Sequence, residues 1–139
     1  MNTPFPQADD IYKVIWLIDS KISQKLSESL DFINMNISLR QIEYYQNAGE
    51  FLGLLSEGMP TKLAMEIFIK SKEEVINKVA KLVKESIIFN QYYINDDKSE
   101  VVSLLKKLYN YSHSTAERRF VTVKAWTEWA KKILKEREK

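Results

Sequence analysis

Two short segments carry the side chains best suited to reading a nucleic acid. The first runs from Ser38 to Leu54 and holds Ser38, Arg40, Gln41, Tyr44 and Asn47. The second runs from Ser114 to Trp129 and holds Ser114, Thr115, Arg118, Arg119 and Thr122. Arginine can make two hydrogen bonds to guanine O6 and N7, and glutamine can do the same for adenine N6 and N7. A hydroxyl at a helix start, beside unpaired backbone N–H groups, can hold a phosphate. Each residue also has a plainer role. Ser38 and Ser114 cap helices whatever the chain does. Tyr44 and Tyr45 can pack in a core, and Trp126 and Trp129 can pack against preceding helices. Arg118 and Arg119 near a helix N-terminus oppose its dipole, a placement that suits an anionic partner.

Other chemistry finds little support. Asp96-Asp97-Lys98 has the acid-x-lysine spacing of a metal-dependent nuclease, but it falls at a helix break with no strand signal and reads as a turn. His113 is the only histidine and cannot build a multi-histidine metal site. With Ser112 or Ser114 it could be drawn as nucleophile and base, a geometry that adjacent residues rarely have. There is no cysteine and no glycine-rich phosphate loop. The expectation is a chain that is not a complete enzyme and needs no cofactor or metal.

The elements that must position these residues are helical. The 139 residues include only three glycines and three prolines, too few turn formers for a many-stranded β protein. Residues 1–8, with Pro4 and Pro6, read as an extended arm. Asp9 or Asp10 caps a first helix to about Asp19, with Ile11, Val14, Ile15 and Ile18 on one face. Ile22 to about Leu30 reads as a second helix, and Asp31 to Ile37 as a turn. Ser38 caps a third helix from Leu39 to about Leu52, ended by Gly53. Leu54-Leu55 and Thr61-Lys62-Leu63 read as short strands around Ser56-Glu57-Gly58-Met59-Pro60, with an irregular loop as the alternative. A long amphipathic stretch then runs from Met65 to Ile94, with Val75, Val79, Leu82, Ile87 and Ile88 as its apolar side. Ser71 and Glu74 form a capping-box pattern near a break at Lys70-Ser71. After Asn95-Asp96-Asp97 a helix fits Ser99 to Tyr109. Asn110 to His113 is a turn, and Ser114 or Thr115 caps a last helix towards Lys135.

The fold class expected is mainly α, as tandem helix-turn-helix or winged-helix units with one short β-hairpin wing. The units would span residues 1–63 and 64–139, the second packed on the first. A shift of 78 positions supports the duplication. It brings Ile11, Val14 and Ile15 onto Phe89, Tyr92 and Tyr93, and Leu26 and Leu30 onto Leu104 and Leu108. It also brings Arg40-Gln41 onto Arg118-Arg119, Ile42 onto Phe120, Tyr44-Tyr45 onto Thr122-Val123, Ala48 onto Trp126, and Phe51 onto Trp129. Lys132 stands where Leu54 does, so the sequence stops where a second wing would begin; either this unit is wingless or the chain is part of something longer.

Charge and hydropathy narrow the setting. Lys and Arg number 21 against 19 acidic residues, a net of +2, so nucleic-acid binding must rest on local clusters. Arg118, Arg119, Lys124, Lys131, Lys132, Lys135 and Arg137 form one, although a solvated helix face has a similar look. No apolar run approaches the roughly 20 residues that span a bilayer. No basic and apolar leader opens the chain, so the expectation is a soluble cytoplasmic protein with no membrane partner.

The segments Ser38-Leu-Arg-Gln-Ile-Glu-Tyr-Tyr-Gln-Asn-Ala-Gly-Glu-Phe-Leu-Gly-Leu54 and Ser114-Thr-Ala-Glu-Arg-Arg-Phe-Val-Thr-Val-Lys-Ala-Trp-Thr-Glu-Trp129 resemble the paired winged-helix segments that accompany type II restriction endonucleases and related defence proteins. The resemblance implies sequence-specific recognition of double-stranded DNA. It would place Arg40, Gln41, Tyr44, Arg118, Arg119 and Thr122 on the DNA-facing helices. It also implies a separate nuclease domain or subunit as partner, and no such domain lies in this chain. Two other readings use the same elements: a homodimeric transcriptional regulator, with the helix around Val75 to Ile88 as its interface, and a protein-interaction module, which the near-neutral charge favours.

Overall fold

A computed structural model describes residues 4–23 and 38–138. The expected second helix from Gln24 onward and the turn at Asp31 to Ile37 lie outside the described residues. The chain divides into two compact units, Asn2–Ser71 and Lys72–Lys139, so the division falls at Ser71 and not after Leu63. The described residues are mainly helical, with one two-stranded antiparallel hairpin.

The first unit holds α1 (Ile11–Ser23), α2 (Leu39–Phe51), β1 (Leu55–Ser56), β2 (Met59–Pro60) and α3 (Lys62–Phe68). The backbone N–H of Tyr12 donates to Asp10 Oδ1 at 3.1 Å, so Asp10 supplies the cap. α1 runs to Ser23, past Asp19 and through Ile22, because Ile18 and Lys21 continue its buried side. Residues 4–10 have no regular structure, yet Phe5 and Ala8 are buried, and Phe5 meets Phe51 edge-on at 5.4 Å. The arm is therefore anchored in the core. α2 opens with a complete capping box: Ser38 Oγ accepts from the Gln41 N–H, and Gln41 Oε1 accepts from the Ser38 N–H. It closes with the paired bonds of a Schellman motif, Gly53 N–H to Glu50 O and Leu54 N–H to Gly49 O, with Gly53 at φ +77°.

The hairpin follows at once. Ser56 pairs with Met59 and Leu55 with Pro60 around Glu57-Gly58, both at positive φ, as a two-residue turn of the I′ kind requires. Thr61-Lys62-Leu63 is not a strand. Thr61 Oγ1 accepts from the Ala64 N–H, so Thr61 caps α3 and ends the hairpin.

The second unit holds α4 (Lys72–Glu85), α5 (Ile87–Asn95), α6 (Lys98–Tyr109) and α7 (His113–Glu138). α7 packs on each of the other three. α4 begins where the Ser71–Glu74 pattern expects. The stretch then breaks a second time, at Ser86, whose backbone is extended. Ser86 Oγ donates to Leu82 O and Asn90 Nδ2 donates to Lys84 O, so side chains satisfy carbonyls that a continuous helix would have used. The break changes the register: Ile88 is buried, but Ile87 is 75% exposed and not part of the core. α6 is capped by Asp97, whose Oδ1 accepts from the Glu100 N–H. That settles Asp97 as a cap in a turn. The core centres on Trp126, fully buried and stacked on Phe89 at 5.2 Å, with Phe120 edge-on to Tyr92.

Burial agrees at several positions of the 78-residue shift. Ile11 and Phe89, Val14 and Tyr92, Ile42 and Phe120, Tyr45 and Val123, and Ala48 and Trp126 are all buried pairs, while Arg40 and Arg118 are both exposed. The agreement holds for α2 against α7 but fails along α1: Leu17, Ile18 and Lys21 are buried whereas Asn95, Asp96 and Ser99 are exposed, because the shift lays α1 across the break between α5 and α6.

Candidate nucleic-acid interface

α6 and α7 are joined by three residues, Asn110, Tyr111 and Ser112. Asn110 adopts the left-handed conformation at φ +58°, which ends α6 and turns the chain sharply. Ser112 then caps α7: its Oγ accepts from the Thr115 N–H at 3.2 Å. Neither Ser114 nor Thr115 is the cap, and His113 is helical, because Ser112 captures the free Thr115 N–H. α6 and α7 are thus joined by a three-residue turn with one left-handed residue.

The two sides of α7 differ in character. Ala116, Phe120, Val123, Trp126, Ala130 and Leu134 are buried. Ser114, Arg118, Val121, Lys124, Glu128, Lys132 and Lys135 are exposed at helical spacing. At about 100° per residue, Arg118 lies on one edge of this exposed side, and Lys124 and Lys131 lie on the other. Val121, 54% exposed, and Glu128 lie between. Lys132 and Lys135 also lie between the two edges, on either side of Val121 and Glu128, so cations run across the exposed side.

Hydrogen bonds order the first turns of α7. Arg118 Nη2 donates to Thr115 Oγ1, and the Ser112 hydroxyl donates to the same oxygen. Arg119 is turned inward over the Tyr111 ring at 5.9 Å. Glu117 bridges Lys98 Nζ at 2.9 Å and His113 Nε2 at 3.3 Å, tying the start of α6 to the start of α7. The Lys98 hydrogen bond, followed by the Lys98 and His113 charges, holds the Glu117 carboxyl below its ordinary value. Lys98, His113 and Glu117 line an open cleft of about 390 Å³ with Ser99, Val102, Ser103 and Lys106.

The residues singled out from sequence thus separate. Ser114, Thr115 and Arg118 come together on the outward first turns of α7. Thr122 does not join them: it is 2% exposed, because the exposed spacing from Ser114 and Arg118 passes through Val121. In the first unit, Ser38 and Gln41 are occupied with each other as the cap. Arg40 Nε donates to the Tyr44 hydroxyl at 2.9 Å and its guanidinium lies over that ring. Asn47 is half-buried. Tyr45 and Trp126 are core residues. Val121 was the missed position, legible only as the next step of the 114–118 spacing.

Charge is divided unevenly. Residues 72–139 hold 15 Lys and Arg against 10 Asp and Glu, a net of +5; residues 1–71 hold 6 against 9, a net of −3. The overall +2 therefore conceals a basic second unit.

A family model described as a domain of unknown function, DUF7226, matches residues 13–135. No curated protein and no solved structure matches the chain.

Proposed function

The chain belongs to the DUF7226 family, and we propose that it binds double-stranded DNA through the exposed side of α7, presented by a helix-turn-helix of α6, the Asn110–Ser112 turn and α7. One observation carries this reading: Arg118, Lys124, Lys132 and Lys135 are exposed together on a helix whose other side is buried core. Arg118 is the base-reading candidate, Val121 can meet a thymine methyl group, and the lysines meet phosphates. α2 with its hairpin is the matching winged helix of the first unit, supported by the shared burial pattern. The two motif segments support a place as the recognition module of a restriction-type system, with cutting left to a separate nuclease domain or subunit and no chemistry assigned to this chain.

Selection of bound duplexes from a random pool tests the reading. An enriched sequence is the expected result. A two-fold symmetric one would indicate the dimeric regulator instead. Failure to retain any duplex at low salt would remove the proposal.

A protein-interaction role suits the first unit alone. Its net charge is negative, its hairpin tip carries Glu57 and no cation, and Met59, Met65 and Ile69 are exposed. Substituting Met59 and Ile69 by serine would then leave duplex binding intact.

A further inference from the structure

A second cationic feature lies where α4, α5 and α7 meet. The Lys84 ammonium sits 5.0 Å from the centre of the Tyr93 ring, and the Lys131 ammonium sits 5.3 Å from the same centre. The two charges are therefore no more than about 10 Å apart, roughly one Debye length at physiological salt, and repel each other. Among the described residues neither ammonium has a carboxylate within ion-pair distance, and the Tyr93 hydroxyl makes no hydrogen bond. All three residues are half-buried, so their positions are held by packing. The ring's negative face offsets part of the repulsion. An anion reaching both ammonium groups would offset the rest, and the phenol would add a donor. Lys131 stands at the edge of the exposed side of α7, beside Lys124 and Lys135 at helical spacing. The cluster therefore continues the cationic edge of the candidate interface onto two further helices.

We propose that Lys84, Tyr93 and Lys131 bind a phosphate group, supplied by a DNA backbone that runs past the C-terminal half of α7. The proposal rests on the DNA reading for its source of phosphate, though not for the phosphate chemistry itself. The contact is independent of base sequence. It sets the position of the duplex while Arg118 and Val121 read it.

The test combines binding and spectroscopy on the full chain. Wild type is compared with Arg118→Ala and with the double variant Lys84→Gln, Lys131→Gln, using a labelled duplex over a range of salt. Each phosphate contact adds about 0.9 to the slope of log K against log salt, so the double variant, which loses this one phosphate contact, should lose about one such increment. The loss should be equal for all duplex sequences. The Tyr93 ring resonance, assigned with Tyr93→Phe, should shift on adding duplex to wild type. An unchanged slope with an unmoved Tyr93 resonance would overturn the proposal while leaving the DNA reading in place. If wild type binds no duplex, the DNA reading fails, and titration with inorganic phosphate decides the cluster. A Tyr93 shift that is absent in the double variant would keep the phosphate site with a free anion as its source. No shift would end it.

Discussion

Arg118 is exposed, held by Thr115 and placed on the outer edge of α7, whereas its neighbour Arg119 is turned onto Tyr111. Arg118→Ala should weaken duplex binding by about 1–3 kcal/mol if it reads a base, and fluorescence anisotropy would measure it. Thr122→Ala should leave binding unchanged, since that side chain is buried. Residue types were legible in the sequence, but their register was not. The 78-residue shift sets Thr122 opposite Tyr44, which is only half-buried, whereas Trp126 and Phe120 draw the Thr122 side of α7 fully inward. Glu117 carries a pH prediction. Its folded value is lowered, so its contribution is present above the ordinary value of 4.5 and lost as pH falls through the folded value. Urea denaturation should show wild type exceeding Glu117→Gln in stability near neutrality, with the difference shrinking in acid.

At the scale of elements, caps and turns explain most of what could be read in advance. Ser38 and Gly53 act through local backbone bonds, which sequence displays directly. The break at Ser86 was hidden, because it depends on Asn90 reaching back to the Lys84 carbonyl. The end of the hairpin was also misjudged, since Thr61 serves two elements. Its Oγ1 accepts from the Ala64 N–H and its hydroxyl donates to Gly53 O at 2.7 Å. Thr61→Ala should cost about 1–2 kcal/mol in urea denaturation, more than an isolated exposed cap would. Gly49 in α2 makes a contrary case. Alanine ordinarily stabilises a helix interior by about 1 kcal/mol over glycine. Here an added Cβ would stand 2.7 Å from Leu55 Cδ1, which is buried at the hairpin. Gly49→Ala should therefore yield no gain and a net loss of about 1 kcal/mol by thermal or urea denaturation.

For the whole molecule, the decisive property is the unequal division of charge between the two units. The first unit carries a net of −3 and the second a net of +5. The total of +2 hid this, because summed charge says nothing of where cations gather. Alanine at Arg40, which is already bonded to Tyr44, should change duplex affinity far less than alanine at Arg118. The most direct measurement of the central claim is duplex affinity across salt concentration for wild type, Arg40→Ala and Arg118→Ala. The account predicts binding that weakens steeply as salt rises, little change with Arg40→Ala and a clear loss with Arg118→Ala. Binding that ignores salt, or equal affinity in wild type and Arg118→Ala, would contradict it.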